Sequence, residues 1–148
     1  MNFKKLLVLL VFAIAIIGII APAEAKLTVG GPSTYYDKPI NGKSLLGFVV
    51  SSDIGIDSDD EGSANDVSKR KAELNNVNKV VVSIKGYKDV TFKKPAKGWK
   101  TSYKSWEFTK TFSVKGNPIK KSYTVKLYDK KNKSIKALDQ KGKIRSAG

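Results

Sequence analysis

The chain has 148 residues, 28 Lys and Arg against 13 Asp and Glu, a formal net charge of +15, and neither cysteine nor histidine. These totals exclude a disulfide framework, thiolate and imidazole chemistry, and the usual zinc, copper and haem sites, leaving only a hard cation held by oxygen. The charge favours contact with polyanions (acidic wall polymers, anionic membrane surfaces or nucleic acid), and it equally fits a solvated, lysine-rich surface.

Asn2-Phe3-Lys4-Lys5 is a short basic start, and Leu6 to Ile20 is an uncharged apolar run. Ala21-Pro22-Ala23-Glu24-Ala25 follows with small residues at the spacing a signal peptidase reads, for a cut after Ala25 or, alternatively, Ala23. The run is short for a spanning helix, so residues 1–25 are expected to be a cleaved signal peptide, the alternative being an uncleaved N-terminal anchor. Cleavage removes Lys4, Lys5 and Glu24 and leaves a net charge of +14 on a chain with no second apolar run near its C-terminus. The expectation is a secreted, extracellular product with no transmembrane segment in the mature chain. Its length suits one domain with one core.

Leu27-Thr28-Val29 reads as a first strand that Gly30-Gly31-Pro32 interrupts. Asn41-Gly42-Lys43 is a turn signal leading into Leu45 to Val50, a run apolar enough to be a buried strand. Composition then changes abruptly. Asp53, Asp57, Asp59, Asp60, Glu61 and Asp66 crowd one window, followed by a polar stretch to Asn78 with room for a short helix around Val67, Ala72 and Leu74. Residues 53–78 therefore read as an acidic surface insertion.

Strands recur from Val80. Val80, Val82 and Ile84 share a face by two-residue alternation, and Val90 and Phe92 form a short return. Trp106, Phe108, Phe112 and Val114 share the next face, with Lys110 the one break, which a bulge or a sheet-edge position would resolve. Tyr123, Val125 and Leu127 point inward from the strand after that. Asp129 to Lys133 turns the chain into a last weak strand around Ile135 to Leu138, and residues 140–148 read as a basic, frayed tail. About seven short strands without a long helix predict an all-β, antiparallel β-sandwich over residues 26–139.

The span from Gly47 to Ile135 resembles the immunoglobulin-like modules of bacterial and archaeal secreted and cell-surface proteins. The resemblance rests on Ser51 to Ile56, on the Val-x-Val-x-Ile strand and Gly turn of Val80 to Gly86, and on Trp106-Glu107-Phe108. It closes on Tyr123 to Asp129 running into a turn at Asn132. Asp129-Lys130-Lys131-Asn132 lacks the Gly that the family's turn often carries, and the acidic insertion is longer than usual. The resemblance implies a spacer, an adhesion element or a ligand-binding module, and it carries over no catalytic residue.

Two constellations are candidate sites. Asp57-Ser58-Asp59-Asp60-Glu61-Gly62 sets oxygen donors at alternate positions before a glycine, as calcium loops do, with Asp57, Asp59 and Glu61 as the candidate ligands. The twelfth position is Ser68, so an EF-hand loop is incomplete, and a solvated acidic loop is the plainer reading. Trp99 and Tyr103, interleaved with Lys97, Lys100 and Lys104, would form an aromatic platform for a sugar ring if exposed, whereas Trp106 falls in the inward phase of its strand. Lysines at outward strand positions, such as Lys126, also block edge-to-edge aggregation.

Enzyme chemistry has thin support: no histidine base, no nucleophile elbow and no phosphate-cradling glycine loop before a helix. Nucleic-acid binding does not suit an exported chain without a recognised binding motif. The sequence thus points to a secreted, basic, non-enzymatic structural or adhesion module. Its partner would be an anionic cell-wall polymer or another anionic extracellular surface. The alternative is a calcium-dependent or aromatic-platform module for carbohydrate, with calcium the one cofactor it would use.

Overall fold

The computed structural model describes residues 27–53, 64–102 and 105–147, with residues 64–66 described by backbone alone. In chain order the elements are β1 (Leu27–Thr34), β2 (Lys43–Ser52), α1 (Ala64–Asn75), β3 (Lys79–Ile84), β4 (Val90–Lys93), β5 (Glu107–Lys115), β6 (Ser122–Tyr128), β7 (Ser134–Ile135), β8 (Lys141–Lys143) and β9 (Arg145–Ser146). They form two sheets: β5-β2-β1-β9, and β4-β3-β6-β7 with β8 also paired to β6. The expected all-β character holds, with one helix added. The expected signal peptide lies outside the described residues.

Alternation sorts the side chains. Leu46, Phe48 and Val50 on β2 and Leu27 and Val29 on β1 face Val80, Val82 and Ile84 on β3 and Val125 and Leu127 on β6 across one buried core. The ring of Phe92 on β4 reaches the opposite sheet, meeting Phe48 edge-on at 5.3 Å and Phe112 at 5.9 Å. Burying a large apolar side chain contributes roughly 1.5–3 kcal/mol. Packing of this kind is what holds a domain that contains no cysteine. Helix α1 joins that core through Leu74, fully buried, and through Arg70 one turn earlier on the same face. Ala72, on the same helix, is exposed.

Two expectations are corrected. Gly30-Gly31-Pro32 does not end the first strand: β1 runs through it with a register shift between Gly30 and Ser33. The break at Lys110 is resolved by the second of the two expected means: its register is unbroken, paired with Phe48 of β2, and β5 is the sheet edge. Its ammonium stands 5.6 Å from the centre of the Trp99 ring.

The second correction is the tail. Residues 140–147 are paired rather than frayed: Ser122 to Thr124 of β6 take β8, and Ser33 and Thr34 of β1 take β9 in parallel. Just before, Leu138 exchanges backbone bonds with Leu27 and Val29 at 2.9 Å each. The C-terminal stretch therefore stitches the two sheets together along one side. Gln140 is a knot in that seam, its amide donating to Val125 O at 3.0 Å and accepting from Ala137 N–H at 2.8 Å. Ile144 drives the seam shut and is buried in the core.

Candidate functional site

Of the five candidate ligand residues, Trp99 alone falls among the described residues. Asp57, Asp59 and Glu61 lie outside the described residues, as does Tyr103. Among the described residues no group of three or more acidic, histidine or cysteine side chains is placed to hold a metal. Trp99 is described, and it is not a platform: it is only 4% exposed. Its Nε1–H donates to Val77 O at 2.7 Å, and its backbone N–H donates to Asn75 Oδ1 at 3.1 Å.

Trp99 closes the core where α1 ends, a tertiary role outside any strand, so two-residue alternation has no hold on it. Trp99 is thus the more deeply buried of the two tryptophans. Trp106 is half-buried, and the guanidinium of Arg70 lies 4.5 Å from its ring centre. Ser105, at φ 65°, turns the chain just before Trp106, whose carbonyl still accepts from Ser52 N–H in line with the β2–β5 ladder.

What the fold does bring together is charge. The β1–β2, β3–β4 and β5–β6 connections lie far apart in sequence, yet antiparallel topology delivers them to one end of the molecule. Gly116 N–H donates to Gly42 O at 2.8 Å, and the Ser44 hydroxyl donates to Gly116 O at 2.6 Å. Lys85 N–H donates to Ser122 O at 2.9 Å, and the Tyr87 hydroxyl lies beside Gly116. At this end Lys38 comes from the first connection and Lys43 from the start of β2, Lys85 and Lys88 from the second connection, Lys115 from the end of β5, and Lys120 and Lys121 from the third connection. All seven are exposed. Lys43 and Lys115 are directly opposed in the ladder, a like-charge pair that costs stability.

Acids are scarce here. Asp37 and Asp89 are the two on these connections, and Asp37 accepts a 2.6 Å hydrogen bond from Ser146 of β9. The acidic insertion leaves the fold at the opposite end, where Asp53 accepts from the Thr28 hydroxyl at 2.9 Å and Ser52 N–H donates to Trp106 O.

The same end carries exposed apolar groups. Among the described residues the large exposed apolar side chains are Tyr35, Tyr36, Ile40, Leu45 and Leu138, and the first four belong to the β1–β2 hairpin. The tip is built from Asn41 (φ 54°) and Gly42 (φ 76°), the left-handed pair that a tight hairpin turn requires. Ile40 and Lys43 exchange both backbone bonds, at 2.8 and 3.1 Å, and the Thr34 hydroxyl donates to Tyr36 O at 2.9 Å.

Behind the hairpin, Tyr35 lies across Gly47 and borders a cleft of about 250 Å³ floored by Gly30 and Gly47 and walled by Val49 and Thr109. A second cleft follows the seam, where Asp139, Lys141 and Arg145 surround Tyr123. Burial pushes the Tyr123 hydroxyl above its usual pKa; Asp139 adds to the shift and Arg145 opposes it, so it stays a neutral donor.

The opposed lysine clusters and the hairpin tip were missed in sequence because each connection alone carries an ordinary number of charges. Among the described residues no helix is long and apolar enough to cross a membrane. Comparison with protein-family models, with curated proteins and with solved structures finds no match to this chain.

Proposed function

We propose that this chain is a secreted, non-enzymatic module of immunoglobulin-like type that adheres to an anionic extracellular surface. The observation that carries the reading is the convergence of seven exposed lysines and two aspartates' worth of opposing charge at one end of the fold. Such a pole attracts and orients an anionic partner more strongly than the same charges scattered over a sphere. Export is supported by the apolar run of Leu6 to Ile20 and the small residues up to Ala25. The immunoglobulin-like reading is supported by the strand order, in which β5-β2-β1 faces β4-β3-β6 with β7 and β8 added beside β6.

Binding to isolated cell walls and to soluble poly(glycerol phosphate), measured across a salt series, tests the adhesion reading. Binding at low salt that weakens steadily as salt is added is the expected result. Absence of binding at low salt, or binding indifferent to salt, overturns it.

A second reading, a carbohydrate-binding module, is favoured by the apolar cleft beside Tyr35. Calorimetric titration with neutral oligosaccharides, comparing wild type with Tyr35→Ala, separates it from the first.

A further inference from the structure

We infer that the anionic surface engaged by this chain is a phospholipid bilayer, and that it is met end-on by the β1–β2 hairpin; the inference rests on the adhesive reading above. Charge alone would suit a polymer and a membrane equally. The hairpin distinguishes them. Tyr36 and Ile40 are 54% and 55% exposed at the tip of an end crowded with lysines.

A hydrated polyanion offers Ile40 no apolar environment, whereas the boundary between headgroups and acyl chains does. Tyrosine, apolar in its ring and polar at its hydroxyl, prefers that boundary. Lys38, Lys43, Lys115, Lys120 and Lys121 then lie at headgroup level, where each basic residue strengthens attachment to an anionic leaflet.

The hairpin is ready to insert. Its backbone is held by the reciprocal Ile40–Lys43 bonds and its base by the Ser146–Asp37 and Thr34–Tyr36 hydrogen bonds. Ordering it on contact therefore costs little. Asp37, the acid nearest the tip, is turned to Ser146. The shape and charge together match a shallow interfacial anchor rather than a groove for a chain-like ligand.

Co-sedimentation tests the inference with three probes: vesicles of phosphatidylcholine, vesicles of phosphatidylcholine and phosphatidylglycerol in equal parts, and soluble poly(glycerol phosphate). The chain is expected on the mixed vesicles and not on the neutral ones. Tyr36→Ser/Ile40→Ser should weaken vesicle binding roughly ten-fold or more while leaving polymer binding unchanged.

Lys120→Gln/Lys121→Gln should weaken vesicle binding by about five-fold for each lysine removed. Lys130→Gln/Lys131→Gln, at the opposite end, should change vesicle binding little. A Tyr36→Trp variant should shift its emission to the blue on mixed vesicles, while Trp99 and Trp106, at the far end, do not.

Polymer binding without vesicle binding overturns the bilayer inference and leaves the adhesive reading standing; binding to neither removes both. Vesicle binding that ignores the Tyr36/Ile40 change, or that falls as much with Lys130 and Lys131, overturns the end-on geometry.

Discussion

The indole of Trp99 lies flat on the ring of Phe108, with centroids 4.3 Å apart and planes within 1° of parallel. This stack seals the core between the end of α1 and the start of β5. Trp99→Ala is therefore expected to cost about 3–5 kcal/mol in urea unfolding, as for other large buried aromatics. A loss below roughly 0.5 kcal/mol, ordinary for a surface position, would return Trp99 to the outside of the fold.

The seam formed by residues 134–147 is a structural element and not an appendage. Ile144→Ala should cost about 2–5 kcal/mol, because the site is closed on all sides. Truncation after Asp139 removes β8, β9 and Ile144 together, and differential scanning calorimetry should then show no cooperative transition. Wild-type melting of the truncated chain would refute the role given to the seam.

Lys110 places a charge on the inner face of an edge strand, a device that discourages edge-to-edge pairing. Lys110→Leu is expected to keep or raise the melting temperature while promoting self-association, read by light scattering over a concentration series. A variant that stays as monodisperse as wild type would assign the guard role elsewhere.

Gly31 and Gly42 both adopt left-handed backbone, at φ 84° and 76°. A Cβ at Gly42 meets open space, whereas one at Gly31 would lie 2.9 Å from Gly47 O. Gly42→Ala should cost about 1–2 kcal/mol, the usual cost of that conformation, and Gly31→Ala distinctly more. Equal losses in chemical denaturation would mean that β1 and β2 can part locally at the bulge.

Asp129 accepts backbone N–H groups from Lys133 at 2.9 Å and Lys131 at 2.8 Å; the Lys133 bond does most to hold its carboxyl below the ordinary carboxylate range, desolvation opposes it, and the Lys131 bond and the two lysine charges add to it. Its folded pKa is thus lower than its unfolded one, so its stabilising effect is complete above about pH 4 and is lost as pH falls through the folded value. Asp129→Ala should lower the melting temperature at neutral pH and converge with wild type in strong acid. A gap that persists undiminished in acid would assign the loss to something other than the ionised carboxylate.

Much of the scaffold was legible because alternation is a direct imprint of a half-buried strand. Val80, Val82 and Ile84, and Tyr123, Val125 and Leu127, fall on the expected faces, and Asn41-Gly42 makes the expected turn. The seam was not legible, since Lys141-Gly142-Lys143-Ile144-Arg145 carries one apolar residue among cations and owes its strand character to partners supplied by β1 and β6. Trp99 misled for a related reason: a plug over the end of a core has no periodicity. The candidate site was hidden most completely, because it consists of three connections that only the antiparallel winding sets side by side.

The parallel run of β9 beside β1 has a mechanical consequence. Leu27 begins β1 at one end of the fold, and Ala147 lies beside Thr34 at the other, so tension applied between those points slides the two strands past each other lengthwise. Leu138 near the start of β1 and Arg145-Ser146 near its finish would share that load in shear, their bonds yielding together instead of opening one after another like a zipper.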